Sequence, residues 1–258
     1  MSSRERIYRT EAIVLRRTDF GEADRLLTVF TPERGKLRLV AKGARKPSSR
    51  KSGHVELFSY GQFLVAVGRT LDIITQAETL EPFLALRGDL VRTTYAYYLV
   101  ELADAFTAEQ DENRPLFDLL REALGWLCTA TDLALTARYY ELHLLELVGY
   151  QPQLYLCGTC KELLPAGINY LSITEGRTFC PRCGRGQIGT SEISVNALKV
   201  MRFLQSRDWE TCRLLRLSPA SLAEVERILH QYITYHLERK PKSLDFLHKL
   251  GRTGSPDP

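Results

Sequence analysis

Residues 22–46 read EADRLLTVFTPERGKLRLVAKGARK, and this stretch decides the fold of the N-terminal part of the chain. Two apolar runs flank the segment TPERG at residues 31–35. Because Pro32 and Gly35 suit the special backbone angles of a tight turn, the two runs are predicted to pair as antiparallel strands.

Apolar and basic side chains alternate along the second of these runs. Successive side chains of a strand point to opposite faces, so this period directs one set toward a core and the other toward solvent or a ligand. The apolar set is Leu37, Leu39 and Ala41, and the basic set is Lys36, Arg38 and Lys42. The pattern therefore predicts a sheet with one apolar face and one basic face.

Further short strands are predicted on both sides of this hairpin. The complete set is 10–17, 25–30, 36–42, 55–67 and 71–78. Five short antiparallel strands in about 80 residues, with one basic face, are typical of an OB-like barrel. We therefore predict an N-terminal nucleic-acid-binding domain at residues 1–80.

Positive charge is concentrated in the same region. Residues 1–51 contain 14 Lys and Arg against 6 Asp and Glu, a net charge of +8, although the net charge of the whole chain is only +4. Clustered cations attract phosphate, and the release of condensed counterions supplies most non-specific affinity for nucleic acid. The same charge is also compatible with a solvated basic surface that binds nothing.

The segment 43–54, GARKPSSRKSGH, adds further cations among Gly, Pro and Ser. Its composition predicts either a mobile basic arm that becomes ordered on phosphate or a plain flexible connection. The cations are Arg45, Lys46, Arg50 and Lys51. The strand that follows contains Phe58, Tyr60 and Phe63, which either stack on bases or belong to the core.

From residue 81 onward the apolar period becomes helical. Helices are predicted over 83–108, from Pro115 onward, and over 132–148, 194–206 and 219–239, the last with Ser218 as its cap. A helical domain at residues 81–250 is therefore expected, followed by a disordered tail at 251–258.

Four cysteines interrupt the helical part with the spacing C-x2-C-x19-C-x2-C. Each C-x2-C pair can turn two thiolates toward one metal, and two pairs complete the tetrahedral shell that Zn²⁺ prefers. The predicted ligands are Cys157, Cys160, Cys180 and Cys183. A structural zinc element at 151–190 is the favoured interpretation, and two disulfides or a redox dithiol are the alternatives. The predicted fold class is therefore α+β, with an N-terminal OB-like five-stranded β-barrel followed by an α-helical domain that contains a four-cysteine, zinc-ribbon-like insertion.

No catalytic motif stands out in the sequence. The chain has no Walker G-x-x-x-x-G-K-[ST] pattern, no H-E-x-x-H, no G-x-S-x-G, and no G-x-G-x-x-G that opens a βαβ unit. Four cysteine ligands leave no open position on a zinc ion for an activated water. The acidic pair Glu22 and Asp24 could hold Mg²⁺ for a nuclease, but it more simply balances Arg25. The sequence therefore predicts a protein that is not an enzyme.

The composition is that of an ordinary globular protein, with 44% hydrophobic and 26% charged residues. No apolar run approaches the roughly 18 residues of a membrane span, and the first residues lack the apolar core of a signal peptide. Cys128 and Cys212 lie in predicted helices and are expected to be buried rather than reactive. We expect a reducing, cytoplasmic location and no membrane partner.

Three groups of motifs follow one another along the chain. They are the N-terminal runs 22–31, 35–38 and 41–46, then the two C-x2-C pairs, and then the segment 236–247, which contains Lys240-Pro241-Lys242-Ser243. In this order they resemble the bacterial RecO family of recombination mediators, over nearly all of residues 6–250. Glu238 departs from the family pattern, which is often Gly-rich at this place.

The resemblance implies an OB-fold joined to a helical domain that bears a structural zinc ion. It implies binding of single- and double-stranded DNA, annealing of complementary strands without ATP, and help in loading RecA at gaps and breaks. The implied partners are RecR and the C-terminal tail of single-stranded DNA-binding protein. The implied location is the bacterial cytoplasm, in association with the nucleoid.

We expect phosphate contacts from the basic strand and the basic segment, with two later lysines as candidates for a second DNA contact. The expected contacts are Lys36, Arg38, Lys42, Arg45, Lys46, Arg50 and Lys51, and the later candidates are Lys240 and Lys242. A zinc-ribbon transcription or translation factor that binds RNA through its OB module is the alternative function.

Overall fold

The structure, a computed structural model, describes residues 6–253 and forms two compact units. One unit contains residues up to Thr129, and the other is Ala130–Lys249. The first carries a closed β-barrel and the helices that pack on it, and the second carries further helices and the four-cysteine element. The predicted fold class, an OB-like barrel followed by a helical region, is confirmed.

The barrel of the first unit consists of five strands. They are β1 (Ile7–Phe20), β2 (Asp24–Thr31), β3 (Gly35–Ala41), β4 (Tyr60–Ala66) and β5 (Asp72–Glu81). Their order around the barrel is β1-β2-β3-β5-β4, and β3 with β5 is the parallel pair. The barrel ends at Glu81, and the predicted domain boundary at residues 80/81 stays a prediction.

Alternate side chains fill the barrel interior. Leu27 and Val29 of β2 and Leu39 of β3 lie in its hydrophobic core, where they are almost completely buried. Burial of such a side chain contributes about 1.5–3 kcal/mol. Arg38 lies between two core-facing positions of β3 and is exposed. The period-two pattern in the sequence therefore predicts the inner and outer faces of β3 correctly.

The segment 43–54 is a succession of turns with a defined path. Ala44 near its start and Val55 just after its end are fully buried in the barrel core. The backbone N–H of Gly43 donates to Oδ1 of Asp24 at 2.7 Å. Buried side chains and a hydrogen bond to β2 therefore hold the two ends of the segment on the barrel, and the ordering of its middle part on phosphate stays a prediction.

The helices of the first unit are α1 (Ala85–Gly88), α2 (Leu90–Phe106) and α3 (Arg114–Thr129). Asp89 begins α2 by accepting hydrogen bonds from the N–H groups of Val91 and Arg92, as an N-cap does. This cap divides the predicted helix 83–108 in two. Phe117 of α3 packs against Phe30 of β2, with ring centroids 6.0 Å apart, so α3 lies on the barrel.

The second unit is mainly helical. Its helices are α4 (Leu133–Leu147), α5 (Pro181–Gly184), α6 (Val195–Ser206), α7 (Trp209–Cys212), α8 (Pro219–Leu237) and the greater part of α9 (Lys242–Thr253). Ser218 caps α8 by accepting from the N–H of Ser221 at 3.2 Å, as predicted. Asp132 caps α4 in the same way, accepting from Leu135 at 2.8 Å.

Glu238 ends α8 in the left-handed conformation, with φ of 53°. Glycine adopts this conformation at little cost, whereas a side chain is disfavoured there. Glu238 therefore occupies a backbone conformation that favours glycine, at a place where the family pattern is often Gly-rich. Helix α9 continues to Thr253, and the rest of the predicted disordered tail, residues 254–258, lies outside the described residues.

A small sheet supports the four cysteines in the second unit. Its strands are β6 (Asn169–Ser172), β7 (Arg177–Phe179) and β8 (Thr190–Ile193). They are antiparallel, with β6 in the middle. Each C-x2-C pair adjoins this sheet, since one pair precedes β6 and the other follows β7.

Candidate metal centre and nucleic-acid surface

The four predicted ligands come together at one point of the second unit. Cys157 and Cys160 lie in a turn before β6, whereas Cys180 precedes α5 and Cys183 lies within it. All four sulfur atoms lie within 4.8 Å of one another. With metal–sulfur bonds of about 2.3 Å, a tetrahedral site separates its sulfurs by about 3.8 Å. The cluster therefore has the donor set and the size to bind a metal ion.

A glycine in each pair allows the sheet to approach closely. A Cβ atom on Gly158 would lie 2.6 Å from Cε1 of Phe179, and one on Gly184 would lie 2.6 Å from Cβ of Tyr170. Real Cβ atoms essentially never come this close to another carbon. A side chain at either position would therefore displace Phe179 or Tyr170, because the cysteine turns pack directly on the aromatic side chains of β6 and β7.

The thiols of the cluster differ in acidity. Burial by itself raises the pKa of the Cys157 thiol, but backbone N–H groups, first that of Cys180 at 3.4 Å, lower it to about 6. A hydrogen bond with the Cys180 side chain, followed by burial, raises the pKa of Cys183 to about 12. Four thiols this close cannot all ionise without a cation between them, because like charges repel. A bound divalent metal ion would supply that charge.

Arg182 and Glu162 flank the cluster on its exposed side. The Arg182 guanidinium donates to Oε2 of Glu162 at 3.2 Å, and this oxygen lies 3.9 Å from the sulfur of Cys160. A hydrogen bond with the Cys160 sulfur, followed by the charge of Glu162, raises the pKa of Arg182. A cation here offsets the negative charge that four thiolates place around a divalent ion.

The two remaining cysteines lie apart from the cluster. Cys212 is fully buried, and burial raises its pKa to about 11. Cys128 is half-buried, and burial raises its pKa as well. Both thiols therefore stay protonated at neutral pH, which suits a packing role rather than a nucleophilic one.

Lys36 differs from the other predicted DNA contacts in the burial of its ammonium group. Its ammonium nitrogen donates to Oδ1 of Asp104 at 2.9 Å and to the backbone oxygens of Asp104 and Thr107 at 2.6 and 2.8 Å. The side chain is only 11% exposed. The expectation that Lys36 contacts phosphate is therefore corrected, because its ammonium group donates its hydrogen bonds to oxygens at the end of α2.

Four of the other predicted DNA contacts face solvent. Arg38, Lys42, Lys46 and Arg50 are all exposed. Among the described carboxylates, none forms an ion pair with any of them. Arg38 lies on a barrel strand, and the other three lie in the turns that follow it, so four exposed positive charges occur within 13 residues of sequence. We refer to these four residues as the basic surface.

Arg45, which is exposed, and Lys51, which is partly buried, both make anchoring contacts. The Nε atom of Arg45 lies 3.4 Å from Oδ2 of Asp19, and the ammonium of Lys51 donates to the backbone oxygen of Ile74 at 3.1 Å. These contacts tie the segment to the β1–β2 hairpin and to β5. Both residues therefore hold the segment in place, and any contact with phosphate would compete with that role.

The two later candidates, Lys240 and Lys242, belong to the second unit. Lys240 pairs with Oδ1 of Asp245 and is about half exposed. Lys242 is exposed at the start of α9. Their part in DNA binding stays a prediction.

The three aromatic residues considered for base stacking are buried. Phe63 is fully buried in the barrel core, and Tyr60 and Phe58 are 6% and 3% exposed. Phe58 packs edge-on against Tyr97, and the Tyr60 hydroxyl donates to Oε2 of Glu11 at 2.7 Å. Of the two roles that the sequence left open, the structure supports the core.

An exposed aromatic residue that sequence reasoning missed lies elsewhere on the barrel. Phe20 is the last residue of β1 and is 45% exposed. A single aromatic residue at a strand end produces no periodic signal, so the sequence pattern did not single it out. The nearby Gly21, with φ of 58°, marks the turn that follows it.

The acidic pair considered for a nuclease does not form a metal-ligand cluster. Oδ1 of Asp24 accepts the N–H of Gly43, and Glu22 is exposed in the turn after β1. Within residues 6–253, the four cysteines are the group of His, Cys, Asp or Glu with metal-ligand geometry. The structure thus gives Asp24 a structural task and no partners for Mg²⁺.

Comparison with known proteins matches both parts of the chain to one family. The model of the Recombination protein O N terminal matches residues 1–83, and that of the Recombination protein O C terminal matches residues 87–245. The chain belongs to the RecO family.

RecO-family relatives match over nearly their whole length. The DNA repair protein RecO of Roseiflexus sp. (strain RS-1) is 45% identical over 256 residues, covering 98% of this chain and 90% of the relative. That of Dehalococcoides mccartyi (strain ATCC BAA-2266 / KCTC 15142 / 195) is 39% identical, covering 95% of this chain and 96% of the relative. RecO-family membership supports a role in DNA repair and recombination.

The C-terminal RecO-family region contains an open cavity of ≈630 Å³ between α8 and α9. Its lining combines cations with apolar surface. The lining residues are Ala223, Glu226, Arg227, His230, Gln231, Thr234, Tyr235, Lys240 and Leu244. Among the described helices of this RecO-family chain, none is long and apolar enough to cross a membrane.

Proposed function

We propose that this chain binds single- and double-stranded DNA through the basic surface of its barrel. The observation that carries the proposal is the exposure of Arg38, Lys42, Lys46 and Arg50 without a described ion-pair partner. Cations in this state attract phosphate strongly, since binding releases the counterions condensed on the nucleic acid. Family membership supports DNA as the ligand.

Strand annealing without ATP follows from the same surface. Two DNA backbones repel each other, and bound cations reduce that repulsion. No covalent step is required, so we propose that the protein is not an enzyme. Its role in repair is then that of a mediator, which holds strands for pairing and helps to load RecA at gaps and breaks.

The salt dependence of single-strand binding tests this proposal. Changing all four residues of the basic surface to Ala should weaken binding and flatten the plot of log affinity against log salt by about 0.7 per lost phosphate contact. A matched control removes four exposed cations of the second unit, Lys199, Arg207, Arg213 and Arg216. The proposal fails if both variants keep the wild-type slope or if both lose it equally.

RNA binding is the alternative outcome. A competition between single-stranded DNA and RNA of the same sequence distinguishes the two ligands, because the 2′-hydroxyl is the main feature that tells them apart. Stronger competition by RNA would favour a transcription or translation factor. Equal or stronger competition by DNA supports the repair function.

We infer that the metal of the second unit is Zn²⁺ and that its role is structural. Support comes from a donor set of four sulfurs, which favours zinc over hard cations such as Mg²⁺. With four protein ligands no coordination position is open for water or substrate. The ion would hold the two cysteine turns against the small sheet.

We propose RecR and the C-terminal tail of single-stranded DNA-binding protein as partners. The cavity between α8 and α9 suits an acidic tail that ends in an aromatic residue. Arg227 can meet a carboxylate there, and Lys240 could do so by exchanging its partner Asp245, while Leu244 and Tyr235 offer apolar surface. A bacterial cytoplasmic location near the nucleoid goes with these partners and stays a prediction.

A fluorescent peptide with an acidic, Phe-terminated sequence tests the tail site. Arg227→Ala should weaken its binding, because an exposed cation that faces the carboxylates is lost. Arg213→Ala, which removes an exposed cation outside the cavity, serves as the control. Equal affinity of both variants would place the tail elsewhere.

A further inference from the structure

Phe20 lies at the open tip of the β1–β2 hairpin. The two strands pair as far as Phe20 and Asp24, so residues 21–23 form the connection. Phe20 is 45% exposed, and within the described residues no atom beyond the chain neighbours of Gly21 lies within 4 Å of its Cβ position. The tip therefore projects into solvent and leaves an aromatic face accessible.

The structure holds this tip next to the basic segment 43–54. The N–H of Arg45 donates to the backbone oxygen of Ala23 at 2.9 Å. The Arg45 side chain also pairs with Asp19, the neighbour of Phe20, at 3.4 Å. Backbone and side-chain contacts thus hold the hairpin tip beside Arg45, which lies next to Lys46 in the chain.

The exposure of Phe20 does not by itself indicate a ligand contact, because single exposed apolar side chains are common on protein surfaces. Phe20 is distinguished from other exposed apolar residues by its position next to the basic segment 43–54. Ile7, at the opposite end of β1, is 53% exposed and has no such connection to the basic segment. An aromatic face beside a row of cations is the arrangement with which proteins bind single strands, in which bases stack and phosphates pair with Lys and Arg.

We propose that Phe20 stacks on an unpaired base of single-stranded DNA while neighbouring cations, Lys42 and Lys46 first, contact the flanking phosphates. This proposal rests on the proposed DNA binding by the basic surface and adds a base-dependent contact to it. In a duplex the base faces are already stacked on their neighbours. Phe20 therefore favours single strands, whereas the cations serve both forms.

The experiment compares three ligands of equal length: a single strand with bases, an abasic single strand and a duplex. Wild-type protein should bind the base-containing strand more tightly than the abasic strand. Phe20→Ala should lose about fivefold or more of its affinity for the base-containing strand, the scale of one base–aromatic stack, with little change for the other two. Phe20→Tyr, which keeps an aromatic face, should restore most of the affinity.

Ile7→Ala is the matched control, since it removes a similarly exposed apolar side chain from the same strand. Equal thermal midpoints for all variants would show that the barrel stays folded, as expected for side chains at the surface. The stacking proposal is overturned if Phe20→Ala binds all three ligands as the wild type does, or weakens them equally. Wild-type protein that binds none of the three ligands overturns both proposals, whereas an unchanged Phe20→Ala with a salt-sensitive basic surface overturns only the stacking.

Discussion

The ammonium of Lys36 lies 2.9 Å from Oδ1 of Asp104 and joins strand β3 to the end of helix α2. The same nitrogen donates to the backbone oxygens of Asp104 and Thr107, at the helix end where carbonyl groups lack intrahelical partners. A cation at a helix C-terminus is also favoured by the helix dipole. Lys36 therefore fixes α2 on the barrel, while Arg38, two residues later on the same strand, remains exposed.

Lys36→Ala should destabilise the first unit by about 3 kcal/mol, because it leaves the buried Asp104 carboxylate with one cation fewer. Arg38→Ala should change stability by less than about 0.5 kcal/mol, since its side chain is exposed. Urea denaturation of the full chain measures both changes. In DNA binding we expect the reverse order, with the larger loss for Arg38→Ala once both variants are folded at low temperature.

If Lys36→Ala keeps wild-type stability but loses DNA affinity, Lys36 contacts DNA as the sequence predicts. Lys36→Arg provides a further check. Its longer guanidinium keeps the positive charge but changes the contact geometry, so partial stability should remain.

Lys36 shows which features of the candidate surface can be predicted from the sequence and which cannot. Alternation in β3 correctly predicts an apolar and a basic face, because it follows from the strand period alone. Asp104, the partner of Lys36, lies 68 residues further along the chain. No local sequence pattern therefore indicates that the end of α2 contacts Lys36. Exposure of a predicted cation is a property of the tertiary fold.

In the four-cysteine element, the ligands can be predicted from the sequence but the supporting sheet cannot. Its ligands are predictable, since two C-x2-C pairs bring four thiolates together by local geometry. Its sheet was not predicted, because β6, β7 and β8 have only three or four residues each and carry too little alternation. The contact of Gly158 with Phe179 is likewise visible only after folding.

Freshly purified protein should contain one equivalent of zinc by elemental analysis. A strong chelator should then release it and unfold the 151–190 region, because metal binding contributes on the order of 10 kcal/mol to such small elements. Limited proteolysis should show new cleavage confined to that region. Binding of DNA by the barrel of the first unit should persist after chelation.

Cys160→Ser should lower the zinc content, whereas Cys128→Ser, a cysteine outside the cluster, should not. Less than half an equivalent of zinc in the wild type would count against the site. Equal proteolysis with and without chelator would also oppose a structural role for the ion.

Arg138 lies in a buried cluster of charged groups in the second unit. Arg138 of α4 contacts Oε1 of Glu141 at 2.6 Å and Oε2 of Glu226 at 3.0 Å, and Glu141 is fully buried. Arg138→Met should destabilise the unit by about 3–5 kcal/mol, because a buried carboxylate loses its cation. The double change Arg138→Met with Glu141→Leu should recover much of this loss in urea denaturation.

Arg227→Met is the control for this prediction, since Arg227 is exposed on α8 and its loss should cost less than about 0.5 kcal/mol. Equal effects of Arg138→Met and Arg227→Met would mean that burial does not determine the strength of the pair.

His143 makes the stability of the second unit depend on pH. Burial lowers its pKa, and this effect outweighs the hydrogen bond to the backbone oxygen of Leu204 and the charge of Glu146. The unfolded chain, with a histidine pKa of about 6.5, binds the proton more readily than the folded chain, so stability falls as pH decreases below that value and levels off below the folded pKa. His143→Gln, which keeps a donor for Leu204, should reduce this slope in thermal unfolding between pH 7.5 and about 5. A slope as steep as that of the wild type would assign the pH dependence to other groups, such as His236, whose pKa is lowered by burial as well.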